Sequence, residues 1–124
     1  MTRIFLVLGA LFAFLGVVAG AFGAHFLKTV LSPDMLAVVE TAVRYQMYHA
    51  FALLMVGWAS EQFPQASLMP AGWLFAGGIV VFSGSLYALA FTGTSWLGAF
   101  TPLGGVAFLV GWGWLAWQFW TWAP

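Results

Sequence analysis

After Glu61 the chain contains no Asp, Glu, Lys or Arg. The 63 residues from Gln62 to Pro124 are apolar, aromatic, Gly, Pro or uncharged polar. A water-exposed surface is normally rich in charged groups, so a stretch this long without one cannot cover a soluble domain. The other half holds six charges, Arg3, Lys28, Asp34, Glu40, Arg44 and Glu61. Mean hydropathy over the chain is +1.01. Lipid is therefore the expected solvent for most of this protein.

Two further features narrow the function classes. The formal net charge is zero, which argues against nucleic acid as a partner, since phosphate neutralisation needs clustered Lys and Arg. There is no cysteine, which excludes disulfides, thiolate catalysis and cysteine-ligated metal.

The residues predict an all-α fold: an integral membrane bundle of four transmembrane helices with short loops, in one domain covering 1–124. Each span is near the ~20 apolar residues needed to cross a ~30 Å hydrocarbon core. Met1-Thr2-Arg3, an apolar run and Ala19-Gly20-Ala21 could pass for a signal peptide. The uncharged interval from Arg3 to Lys28 is longer than a signal core, so a retained first helix over about 4–26 is expected. The second helix opens on Ser32 as N-cap, Pro33 at its first position and Asp34 in its first turn. It is expected to run to about Glu61, with residues 42–60 in the membrane. The third span is expected over 71–91 and the fourth over 96–120, with Pro102 and Gly104-Gly105 near its start.

This layout puts Trp58, Trp73, Trp117, Trp120 and Trp122 near one membrane face, as an interfacial aromatic belt. Arg3 marks one side, whereas Lys28 and Arg44 lie toward the other, so orientation stays open. Gly16 and Gly20, Gly84, and Gly104 with Gly111 are the candidate helix-packing positions, because small residues let backbones approach in lipid.

The candidate functional residues form one polar network: His25, Glu40, Arg44, Tyr45, Tyr48 and His49. On a helix Glu40, Arg44 and Tyr48 make one row, and Thr41, Tyr45 and His49 the next. Polar groups at membrane depth are costly and commonly face a bundle interior. The alternative is that Glu40 and Arg44 neutralise each other at the interface, with the tyrosines as anchors. His25 sits near the surface and His49 deeper, a poor arrangement for a bis-histidine haem. Two histidines without a third ligand also make a poor zinc site. No cofactor, metal or catalytic set is expected.

Gly20-Ala21-Phe22-Gly23-Ala24-His25 with Lys28, then Glu40 through Ala50 (ETAVRYQMYHA), Phe82-Ser83-Gly84-Ser85-Leu86-Tyr87, Trp96-Leu97-Gly98 and Thr101-Pro102-Leu103-Gly104-Gly105 together resemble a known family. It is the small bacterial inner-membrane proteins grouped as domain of unknown function 423. The resemblance implies a four-helix membrane protein and no particular activity. The function expected is non-enzymatic: a structural or accessory component of a membrane assembly, with the lipid bilayer and copies of itself or other membrane subunits as partners. The competing expectation is a small proton-coupled transporter or channel acting as an oligomer. A third, weaker one is a quinone or redox protein.

Overall fold

The structure, a computed structural model, describes residues 2–122. Four α-helices follow in order: α1 Thr2–Phe26, α2 Pro33–Gln62, α3 Met69–Thr92 and α4 Thr101–Thr121. Short 3-10 turns at Leu27–Thr29 and Ser95–Ala99 occupy two of the connections, and there is no strand among the described residues. The start of α2 is the one the sequence announces. The Ser32 side chain accepts from the Met35 backbone N–H at 3.3 Å, with Pro33 at the first helical position. This satisfies one of the free N–H groups at the helix end. α3 ends on Gly93 at φ 69°, whose N–H closes on the Leu89 carbonyl at 2.8 Å, a left-handed cap that favours glycine.

Consecutive helices pack together, α1 on α2, α2 on α3 and α3 on α4. α2 and α3 thus form the centre and α1 and α4 the flanks. The main core lies toward the end that holds the start of α1 and the α2–α3 turn. Phe5, Leu53, Val56, Leu68 and Phe75 are fully buried there, together with Phe108 and Leu115 from α4. A smaller apolar cluster around Leu27, Val39 and Ala90 closes the opposite end.

α4 differs from the expected span. The chain after Gly93 makes a 3-10 turn first, and α4 begins at Thr101 with Pro102 in its first turn. Proline is well placed there because the missing N–H would have had no helical partner. Thr101 lies beside Ser85, 2.6 Å between hydroxyl oxygens, so α4 starts well below the end of α3 at Thr92.

The membrane assignment also needs refinement. α1, α3 and α4 are long and apolar enough to cross a bilayer by length and composition, whereas α2 is not. The reason is the polar content of α2: Glu40, Arg44, Gln46 and His49, then Glu61 and Gln62 at its end. Yet α2 buries ten residues, among them Ala42, Gln46, His49, Leu53 and Val56, whereas α1 buries four. Its polar character is turned toward protein as well as outward.

Four of the candidate packing glycines sit at close contacts. A Cβ on Gly16 would meet the Met47 sulfur at 2.5 Å, one on Gly20 a Val43 methyl at 3.2 Å, and one on Gly111 the Phe75 ring at 2.7 Å. Gly104 lies directly on the backbone of Phe82. Gly84 is corrected: nothing comes within 4 Å of its Cβ direction, so it faces outward. Its helix turns Gly72, against Phe5, and Gly78, against Phe108, inward instead.

Gly104→Ala is expected to lower stability by about 1–3 kcal/mol, because the backbone it meets cannot move aside. Gly77→Ala, at an open position, is expected to be neutral or to stabilise by up to about 1 kcal/mol through helix propensity. Thermal unfolding of the two variants in one detergent compares them directly.

Candidate functional site

The buried stripe of α2 runs through Val39, Ala42, Gln46, His49, Leu53 and Val56. These steps of three and four residues place all six on one face. Its two polar members do different work. Gln46 donates from Nε2 to the Phe12 carbonyl of α1 at 2.8 Å, and its Oε1 accepts from the Tyr87 hydroxyl of α3 at 2.7 Å. One amide therefore ties three helices. Gly16 lies one turn after Phe12 and has no side chain to keep Met47 and Gln46 away.

His49 is buried and held at both ring nitrogens. Nδ1 lies 2.7 Å from the Tyr45 carbonyl, and the Trp112 indole N–H of α4 donates to Nε2 at 3.0 Å. A carbonyl can only accept and an indole N–H can only donate, so these partners specify the neutral imidazole with its proton on Nδ1. The ring stacks on Phe108 at 3.5 Å between centroids and 8° between planes. Phe75 stands tilted beside it at 5.4 Å. Tyr45, Phe82, Pro102, Gly105 and Leu109 continue these walls into a crevice of about 430 Å³ between α2 and α4.

Two serines complete the interior ties. Ser83 donates to the Ala42 carbonyl at 2.7 Å, joining α3 to α2. Ser85 donates to the Phe82 carbonyl at 2.9 Å and pairs with the Thr101 hydroxyl, joining α3 to α4. Gln46, His49, Ser83 and Ser85 are the buried polar side chains, and among the described residues no buried side-chain N or O lacks a hydrogen-bond partner.

The expected six-residue network does not assemble. Glu40 and Arg44 pair at 3.1 Å, but their side chains are 71% and 52% exposed, on the outward row of α2. Tyr48 is outward as well, its ring edge-on to that of Tyr45. Tyr45 is the link between rows, stacked beside His49 and leaning on Phe82. His25 is exposed in the last turn of α1, at the opposite end from the main core, and makes no hydrogen bond among the described residues. His49 is thus the one member of the set in the interior, and its partners are Tyr45 and Trp112 rather than Glu40 and Arg44. Gln46, Ser83, Tyr87 and Trp112, which carry the interior ties, lie outside the expected network. The apolar neighbours of Gln46 and His49 at 39, 42, 53 and 56 carried the signal for the first. No three of His, Asp or Glu gather to hold a metal among the described residues.

Of the five tryptophans expected to form an interfacial belt, four are exposed at the end opposite His25, and Trp122 is half-buried against Phe63, 4.8 Å between ring centroids. Trp58, Trp73, Trp117 and Trp120 point outward, while Trp114 donates to the Ser67 carbonyl at 2.7 Å and Gln118 accepts from the Ser67 N–H at 2.8 Å. α4 thereby satisfies the backbone of the α2–α3 turn.

The family model described as "Protein of unknown function (DUF423)" matches residues 19–105, from the last third of α1 to the start of α4. The chain belongs to this family. It is 49% identical over 111 residues to the UPF0382 membrane protein YwdK of Bacillus subtilis, covering 89% of this chain and 90% of that one. It is 50% identical over 110 residues to the UPF0382 membrane protein SSP2132 of Staphylococcus saprophyticus, with 89% and 91% covered. A UPF0382 membrane protein of Staphylococcus epidermidis matches at 49% over 110 residues, with 89% of each chain covered. No solved structure matches. The DUF423 chain is accordingly a membrane protein, in keeping with its three apolar helices.

Gln46→Leu and Tyr87→Phe should each weaken the bundle, and the double variant should cost less than their sum. The coupling expected is about 0.6 kcal/mol, with about 1.7 as its upper range, as found for interhelical hydrogen bonds in membranes. Unfolding of the four proteins of this cycle in micelles measures it. For His49, nitrogen NMR of the labelled imidazole should find the proton on Nδ1, and Trp112→Phe should shift the Nε2 resonance far more than the Nδ1 resonance.

Proposed function

We propose that this DUF423 protein is a multi-pass protein of the bacterial cytoplasmic (inner) membrane in which all four helices cross. In this reading it acts without catalysis, as a structural or accessory component that assembles with copies of itself or with other membrane subunits. Crossing by α2 is supported by where its polar groups go. Gln46 and His49 are bonded to neighbouring helices, and Glu40 and Arg44 pair near the end that holds the α1–α2 connection, so hydrocarbon meets few unsatisfied groups.

The observation that carries the accessory role is the use made of the buried polar side chains. Gln46, His49, Ser83 and Ser85 all serve as ties between or within helices. A carrier or an enzyme needs a polar group left available to its cargo or substrate. Against this stands the crevice beside His49, the one observation that favours transport.

Purification in mild detergent followed by native mass spectrometry tests the assembly. A complex of fixed stoichiometry that survives a second purification is expected, and a lone monomer in lipid would overturn the reading. Liposomes containing the protein should pass protons and cationic dyes no faster than empty vesicles. A flux that His49→Ala abolishes would establish transport instead.

A further inference from the structure

The contact between α1 and α2 is not uniform along its length. Near the main core it is tight: a Cβ on Gly9 would lie 2.8 Å from the Ala50 carbonyl, and one on Gly16 2.5 Å from Met47. At Gly20 a Cβ would still meet a Val43 methyl of α2 at 3.2 Å, but at Gly23, one turn on, the only close neighbour is Leu27, with nothing from α2. The two helices splay apart toward the end at which the chain turns from one into the other. The space between them is a wedge of about 360 Å³, walled by Gly20, Gly23 and Ala24 on one side and by Leu36 and Val43 on the other. Lys28 and Glu40 stand on its rim.

That rim carries both signs of charge. Lys28 forms no ion pair among the described residues. Glu40 is held by Arg44 through Oε1 alone, which leaves its other oxygen able to accept. An apolar slot under a cation and an anion, at the end of a membrane helix, complements an amphiphile whose polar end also carries both charges and can donate hydrogen bonds.

We propose that the wedge holds one acyl chain of a phosphoethanolamine lipid, with the lipid phosphate on the Lys28 ammonium and the lipid ammonium on the Glu40 carboxylate. A phosphoglycerol headgroup would satisfy Lys28 but offers Glu40 no cation. A phosphocholine headgroup has the cation but no N–H to donate. The site selects through the pair of charges, and the splayed glycine face of α1 supplies the room. It is independent of whether the protein has protein partners: a monomer that retains this lipid would refute the assembly proposed above and leave the lipid site standing.

The full chain in nanodiscs of equal parts phosphoethanolamine, phosphoglycerol and phosphocholine lipids, with identical acyl chains, provides the test. After release into mild detergent, native mass spectrometry counts the lipids retained. The wild type should keep the phosphoethanolamine lipid about fivefold over the phosphoglycerol lipid, the scale set by one surface charge, and by a smaller factor over the phosphocholine lipid, which lacks only the N–H donors. Lys28→Gln should lower retention of both phosphoethanolamine and phosphoglycerol lipids. Glu40→Gln should remove the advantage of the first over the second, and Ala24→Leu, which fills the wedge, should lose all three. Equal retention by the wild type, a preference for phosphoglycerol, or an unchanged preference in Glu40→Gln would overturn the proposal. The wild-type comparison decides it even where a variant fails to fold.

Discussion

Hydrocarbon offers a polar side chain no partner, so a helix that carries Gln and His at mid-length is stable there only if its neighbours supply the missing bonds. α2 carries both, and in the membrane placement proposed above the arrangement of the other three follows from its needs. Gln46 takes a carbonyl from α1 and a hydroxyl from α3, and His49 takes an indole N–H from α4. Each flanking helix is thereby tied to the same central one. Apolar packing alone would be a weak organiser, since lipid tails are as apolar as leucine. Position and register come from the polar ties, and close contact comes from the small residues.

Those small residues act at different depths. Gly16, Gly104 and Gly111 let a neighbour's side chain or backbone approach within a distance no Cβ would allow. Dispersion gains of individual contacts are small and fall steeply with separation, so such approaches matter most where the bundle is tightest, around Phe5, Phe75 and Phe108. Toward the other end of α1 the same kind of residue has the opposite consequence. There Gly23 meets nothing from α2, and beyond the Gly20–Val43 contact the interface opens. One composition thus yields a seam and a gap, according to what faces it.

The sequence made the helices legible because their causes are local. A charge-free apolar run marks a span, and Ser32-Pro33-Asp34 caps α2 where expected. The inward side of α2 is harder to read, because the charged Glu40 and Arg44 stand on its outward row. The apolar residues Val39, Ala42, Leu53 and Val56 marked the buried face, and they pointed to Gln46 and His49 together. Trp112 could not be found from spacing at all. It lies 63 residues from His49, and only the packing of α3 between them brings the two rings to one place. Similarly, Gly78 packs and Gly84 does not, although both are glycines of one helix; the difference is the direction each faces, which depends on neighbours absent from the local sequence.

The late start of α4 gives the molecule unequal walls. α2 has 30 residues and α4 has 21, a difference of about 13 Å along the helix axis. At the end holding both 3-10 turns, the bilayer boundary meets a taller barrier beside α2 than beside α4, where Trp96 and Phe100 project from the descending chain instead. A bilayer boundary at the level of the first turns of α2 would have to dip on the α4 side or the protein lean, each a modest elastic cost. If copies of the protein assemble as proposed, two such short flanks brought together would share that deformation.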